Sequence, residues 1–304
     1  MQQTSKEVAI DFDGFRIYKD GTIDRFDGDP TVPPSPESET GVRSKDVVIS
    51  SGSGISARVF LPKISDPTQK IPLLVYYHGG AFCVCSAFSP GYTRYASSLA
   101  QEANVVVLSV NYRRAPEDPL PTAFEDAWEA LQWAAAHSGG SGPEAWINQF
   151  ADLERAFVGG DSAGGTLAQN VVLRAGVDGL GGKARLVGMA LFDPFFGNDE
   201  PDKLMEVIFP SYSGANDRTV NPACDPNLGR VGCERVLVFV AEKDSLRDRG
   251  WGYYEALKKS GWSGVADIVE TEGEEHVFHL ENPESEKAKD RMRRAVSFLN
   301  QAHI

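Results

Sequence analysis

Apolar and polar positions follow two regimes along this chain. Up to residue 44 the sequence is polar and turn-rich. Phe15-Arg16-Ile17-Tyr18 and the stretch running to Ile23 predict a small hairpin around Asp20-Gly21. The Pro/Ser-rich stretch 30–41 predicts an extended linker over the surface. Residues 46–49 and 55–60 read as two strands, the second with period-two alternation. From residue 71 the pattern changes. Continuous apolar runs at 73–77, 105–110, 156–158, 187–192 and 236–241 predict strands buried on both faces. Between them, residues 92–102, 121–136, 166–174 and 250–260 are helix-compatible, with Pro121 in a first turn and Gly261 closing the last of them. A short strand at 266–269 and an amphipathic helix at 283–300 follow. Residues 197–232 carry no clear period. Strands alternating with helices predict an α/β fold, a mostly parallel sheet covered by helices on both faces. No internal repeat is visible, and the expectation is a single domain over residues 1–304.

Composition narrows this picture only modestly. With 304 residues the chain can build one full core. Hydrophobic residues make up 41% and charged residues 24%, as in ordinary globular proteins. A net charge of −13 argues against nucleic acid or an anionic membrane as the main partner. No apolar run is long enough to span a bilayer and no secretory segment opens the chain, so a cytoplasmic protein with reduced thiols is expected. Cys83-x-Cys85 does not match zinc spacing. No metal or organic cofactor is expected.

The candidate chemistry centres on residues 155–174. A short apolar run enters Gly159-Gly160-Asp161-Ser162-Ala163-Gly164-Gly165, and a helix-compatible run leaves it. This contains G-x-S-x-G as Gly160, Ser162 and Gly164. Small residues flanking a serine let a strand reverse sharply into a helix, exposing the hydroxyl at the tip of the bend. The following helix directs its first amides at developing negative charge. His78-Gly79-Gly80-Ala81-Phe82 lies directly after the first buried strand. Its glycines allow close backbone approach, so the amides of Gly79 and Gly80, with that of Ala163, are the expected oxyanion donors. His78 reads as structural.

A nucleophilic serine needs a base. Of the five histidines, His137 lies at a helix end, His303 is next to the terminus, and His78 sits in the glycine loop. His276 and His279 remain, in EEHVFHL after the strand at 266–269, and His276 is preferred because it comes first in that loop. The acid should follow a strand between Ser162 and His276. Asp244, just past the strand at 236–241, is preferred over Asp248, which reads as a surface acid on the next helix. Asp161 is expected to point away from Ser162.

Taken together, YKDGTIDR, YYHGGAFC, SVNYRRAPEDPLPTAFEDAWEALQW, VGGDSAGG, VAEKDSLRDRGWGYYEALKKSGW and EGEEHVFHL resemble the hormone-sensitive-lipase-like branch of α/β-hydrolases. Within it the chain resembles the plant class I carboxylesterases and 2-hydroxyisoflavanone dehydratase-like proteins. The resemblance runs nearly the whole chain. It implies an α/β-hydrolase fold, the triad Ser162, Asp244 and His276, the oxyanion amides of Gly79, Gly80 and Ala163, and a cap from about 1–44 and 197–232. Many relatives carry HGGG where this chain has Ala81, and the segment 196–205 is shorter than theirs. Ser162 favours hydrolysis, because the legume dehydratases carry threonine there. The expected reaction is hydrolysis of a small to medium apolar carboxylic ester. Elimination or cyclisation in the same pocket is the alternative. A non-catalytic hormone receptor is disfavoured by the presence of His276. Phe82, Val84, Phe88, Met205, Ile208, Phe209, Tyr212 and Val277 either line an apolar pocket or pack as ordinary core.

Overall fold

The computed structural model describes residues 6–12, 14–36 and 40–301. An N-terminal antiparallel sheet is made of β1 (Val8–Phe12), β2 (Phe15–Tyr18) and β3 (Ile23–Arg25). The predicted hairpin at Asp20-Gly21 joins the last two. Then β4 (Arg43–Ser50) and β5 (Ile55–Leu61) pair antiparallel and form one edge of the main sheet. The α/β region follows as β6 (Ile71–Tyr77), α1 (Pro90–Ala103), β7 (Val106–Asn111), α2 (Thr122–Ala135), α3 (Ala145–Phe150), β8 (Ala151–Asp161), α4 (Ala163–Asp178) and β9 (Leu186–Phe192). It continues through α5 (Lys203–Ile208), β10 (Arg235–Ala241), α6 (Arg247–Lys259), β11 (Val265–Thr271), α7 (Phe278–Glu281) and α8 (Glu286–Asn300).

The main sheet has the order β11-β10-β9-β8-β6-β7-β5-β4, and β6 to β11 are mutually parallel where they pair. Every residue of β6, β9 and β10 is buried. The apolar runs are continuous because both faces are covered. Alternate residues serve opposite faces. Leu73, Val75 and Tyr77 of β6 join Phe124, Leu131, Leu167 and Leu257 in one core. Leu74 and Tyr76 join Tyr92, Leu99, Met292 and Phe298 in the other. Helices α2, α4 and α6 thus cover one face, and α1 and α8 the other.

Three local expectations needed revision. The elbow helix starts at Ala163 rather than 166 and runs to Asp178. The central strand β8 starts at Ala151, earlier than its apolar run, after the short helix α3. Residues 197–232 contain α5 and two short 3-10 turns, Pro222–Cys224 and Leu228–Arg230. The helix α5 lies against β1 of the N-terminal sheet. Part of the 30–41 stretch and His303 lie outside the described residues.

The order of the strands positions the site. β6, β8, β9, β10 and β11 are successive neighbours or nearly so in one parallel array. The residues that follow their C-terminal ends, His78, Ser162, Asp193, Asp244 and His276, are therefore delivered to one edge of the sheet.

Candidate active site

Ser162 occupies the bend between β8 and α4 with φ of +50° and ψ of −121°, a conformation rare for a residue with a side chain. The bend closes because its flanks are glycine. A Cβ on Gly164 would lie 2.0 Å from the Tyr77 carbonyl oxygen, and one on Gly160 would lie 2.3 Å from the Gly164 carbonyl oxygen. The elbow therefore packs backbone to backbone against the end of β6. The turn after β9 grips it from the other side. The Ser162 amide donates to the Phe192 carbonyl at 2.9 Å, and the Phe195 amide donates to the Ser162 carbonyl at 2.9 Å. Ser162 is 8% exposed.

His276 reaches Ser162 from the loop after β11. Its Nε2 is 2.9 Å from Ser162 Oγ, and its Nδ1 is 2.7 Å from Asp244 Oδ2. A carboxylate can only accept, so Nδ1 carries the proton and Nε2 is left to accept from the serine hydroxyl. Asp244 is oriented in turn by the Leu246 amide, which donates to its Oδ1 at 2.8 Å. Burial pulls the His276 imidazole down, but the hydrogen bond and charge of Asp244 outweigh it, and the net shift is upward. The competing residues lie elsewhere. Asp248 is exposed on α6 and pairs with Arg247. His279 is buried, and desolvation, followed by the charge of Arg291, holds it well below its usual range.

The glycine loop departs from expectation at one position. The Gly79 amide donates to Tyr92 Oη at 2.9 Å, so this N–H is already used. The amides of Gly80, Ala81 and Ala163 have no protein partner among the described residues. Gly80, Ala81 and Phe82 all take positive φ, at +95°, +54° and +62°, which turns the loop sharply beyond Gly79. The donor set compatible with this geometry is Gly80, Ala81 and Ala163, with Gly79 as an anchor. His78 is buried with Nδ1 donating to the Gly79 carbonyl at 2.8 Å, and its ring stacks on Tyr112 at 4.2 Å. Burial pushes it down to about 3, so it stays neutral and holds the loop.

Asp161 points away from Ser162, into the opposite core. Its oxygens accept from Tyr76 Oη at 2.8 Å and Tyr92 Oη at 2.7 Å. Burial pushes this carboxyl up to about 6, against the pull of the two tyrosine hydroxyls. Tyr92 therefore ties the glycine loop to the elbow. The sequence offered no signal for this, since Tyr92 stands there only as the first residue of the helix-compatible run 92–102.

The apolar candidates divide. Phe82 is fully buried between Phe124 and Phe195, with ring centroids at 5.7 and 6.1 Å. Met205, Ile208 and Phe209 are buried in the same core, and Phe209 lies 6.5 Å from Phe124 and 6.3 Å from half-buried Tyr212. A tier of rings thus runs from Phe195, bonded to the elbow, to α5 and its following turn. Val84 and Val277 are half-buried. Phe88 is a correction. Its ring lies 5.0 Å from the Arg58 guanidinium, which pairs with Asp46 on β4, at the antiparallel edge. A cation over its face, rather than a substrate, accounts for its position. Among the described residues there is no cluster of potential metal ligands and no helix long and apolar enough to cross a membrane.

Comparison with known proteins agrees with this fold. A family described as having the alpha/beta hydrolase fold matches residues 74–280. The chain is 45% identical to a 2-hydroxyisoflavanone dehydratase of Glycyrrhiza echinata, covering 97% of each chain. It is 43% identical to probable carboxylesterase 4, mitochondrial, of Arabidopsis thaliana, over 97% of this chain and 84% of that one. Among solved structures it is similar to an esterase of Pyrobaculum calidifontis, with a TM-score of 0.69, 28% identity and 84% of each chain covered.

Proposed function

This chain belongs to the α/β-hydrolase family and is a serine hydrolase of the carboxylesterase type, and from that premise we propose that Ser162, His276 and Asp244 hydrolyse small to medium apolar carboxylic esters through an acyl-enzyme. The observation that carries the residue assignment is the pair of contacts on one imidazole, 2.9 Å to Ser162 Oγ and 2.7 Å to Asp244 Oδ2.

The steps follow from those contacts. His276 Nε2 takes the proton as Ser162 Oγ attacks the ester carbonyl carbon. The carbonyl oxygen becomes an oxyanion opposite the free amides of Gly80, Ala81 and Ala163. The imidazolium, stabilised by Asp244, gives its proton to the departing alkoxide, and an alcohol leaves. Water then enters, His276 takes its proton, and attack on the acyl-enzyme releases the acid and restores the serine. The preference for apolar esters is supported by the tier Phe195, Phe82, Phe124, Phe209 and Tyr212 leading away from the elbow.

The 45% identical relative that bears a dehydratase name supports a second reading, in which His276 removes a proton beside a carbonyl and water is eliminated from a hydroxylated substrate. A single experiment separates the two. The protein is incubated with an activated phosphonate ester and analysed by peptide mass, beside turnover of p-nitrophenyl butyrate by wild type, Ser162→Ala and His276→Ala. Label confined to Ser162, with turnover lost in both variants, is the expected result. A folded wild type that neither labels nor turns over the ester excludes the esterase reading and directs product analysis to 2-hydroxyisoflavanone.

A further inference from the structure

The loop that carries His276 is held by a buried ion pair outside the triad. Arg291 enters from α8 and Asp193 from the turn after β9, and both are within 2% of full burial. Arg291 Nη1 lies 2.5 Å from Asp193 Oδ2. Its Nη2 donates to the Val240 carbonyl at 3.2 Å and to Thr271 Oγ1 at 3.3 Å, at the ends of β10 and β11. The guanidinium lies 4.3 Å from the centre of the Phe278 ring. Burying such a pair is costly, and apolar residues of similar size would fill the space at least as well. Filling space alone therefore does not account for it.

The same carboxylate oxygen has a second task. Asp193 Oδ2 accepts the backbone N–H of Val277 at 3.1 Å, and Val277 directly follows His276. Val277 has φ of +46°, a conformation that a β-branched residue takes only when its surroundings impose it, and Asp193 has φ of +45°. The turn that carries Asp193 is also the one that bonds the Ser162 backbone through Phe192 and Phe195. One short turn thus meets both the nucleophile and the base loop.

We propose that Asp193, paired with Arg291, is a positioning residue: by holding the Val277 amide it sets the His276 imidazole against Ser162. This rests on the reading of His276 as the base. Burial pushes the Asp193 carboxyl up, and the charge and hydrogen bond of Arg291 oppose that push without overcoming it. The charged and titratable groups around His276 are Asp244 after β10, Asp193 after β9, Asp161 at the end of β8, His279 on α7 and Arg291 on α8. The Asp193 charge adds to that of Asp244 in favouring the imidazolium, so its removal also lowers the pH at which the base becomes active.

The test compares two double variants that both lack the ion pair. Asp193→Asn with Arg291→Met keeps an oxygen for the Val277 amide. Asp193→Ala with Arg291→Met does not. Steady-state hydrolysis of p-nitrophenyl butyrate is measured across pH, with thermal unfolding to establish that each is folded. The expected result is a kcat about 10- to 100-fold lower in the alanine double variant than in the asparagine one, with KM unchanged. Equal kcat in the two folded proteins overturns the positioning role. If neither double variant folds, Asp193→Asn and Asp193→Ala are compared as single variants: equal kcat in the two overturns the proposal, while a kcat lower in the alanine variant with KM unchanged supports it. Wild type and Ser162→Ala are run in parallel. A wild type without Ser162-dependent turnover removes the reading of the site itself, whereas an active wild type with equal double variants removes only the role of Asp193.

Discussion

The Gly79 amide donates to the hydroxyl of Tyr92, and that hydroxyl donates in turn to Asp161 at 2.7 Å. Three elements meet at this point: the loop after β6, helix α1 and the end of β8. Tyr92→Phe removes both bonds while keeping the ring. The loop then loses its anchor, and the amides beyond it are less well aimed at the oxyanion. We expect kcat to fall about 10-fold or more with little change in KM, and stability to fall by about 1–3 kcal/mol. Steady-state kinetics and denaturant unfolding check the two effects separately.

Asp161 makes a stability prediction of defined sign. Its carboxyl is raised to about 6 in the folded protein from its ordinary value of 3.8. A carboxyl that ionises less readily folded than unfolded costs stability wherever it is ionised. The cost is absent below about pH 4, grows up to about pH 6, and is complete above it, on the order of 2–3 kcal/mol. Asp161→Asn removes the cost. Its melting temperature relative to wild type is therefore expected to rise as pH goes from about 4 to about 8, and a difference that stays flat over that range contradicts the assignment.

His276 is raised above its ordinary value, so protonation stabilises the fold while it disables the base. The stabilisation is full below the unfolded value of about 6.5 and is lost as pH rises through the folded one. Activity follows the opposite course and is lost as pH falls through the folded value. Asp244→Asn removes the main upward influence and favours the wrong tautomer. The acid limb of kcat/KM should move to lower pH and kcat should fall by about 10⁴-fold. A pH–rate profile on a short-chain ester measures both.

Two glycines should respond in opposite ways to alanine. In Gly164→Ala the new Cβ meets the Tyr77 and His78 carbonyl oxygens at 2.0 and 2.5 Å, atoms that cannot swing aside. A loss of about 3 kcal/mol or more, with activity abolished, is expected. In Gly252→Ala, on the exposed face of α6, the Cβ meets nothing within 4 Å. There the higher helix propensity of alanine should add about 0.5–1 kcal/mol with activity intact. Thermal unfolding of the pair is the measurement.

Most of the parallel sheet was legible because a strand covered on both faces must be apolar throughout, and β6, β9 and β10 are. The exceptions have particular causes. Helix α4 begins at Ala163, but Gly164 and Gly165 are poor helix formers. They occur there because the bend packs against the Tyr77 carbonyl and against Pro194. Strand β8 begins among Asp152, Glu154 and Arg155, whose polar side chains hid its first half. Phe88 follows the glycine loop in sequence, yet it turns to Arg58 because a buried guanidinium needs a neighbour on that face.

By itself the sequence determined the fold class, the elbow around Ser162, and the order in which glycine loop, serine, Asp244 and His276 follow their strands. These are local properties: which residues tolerate a bend, which faces are apolar, and what stands just past each strand. Only the tertiary structure decided which amide of the loop is occupied, and which buried charge meets the base loop. Gly79 and Tyr92 are joined across a sheet edge and a helix, and Asp193 and Arg291 stand 98 residues apart. A hydrogen bond between distant elements depends on how those elements dock, and docking is a property of the packed core that no periodicity in the chain encodes.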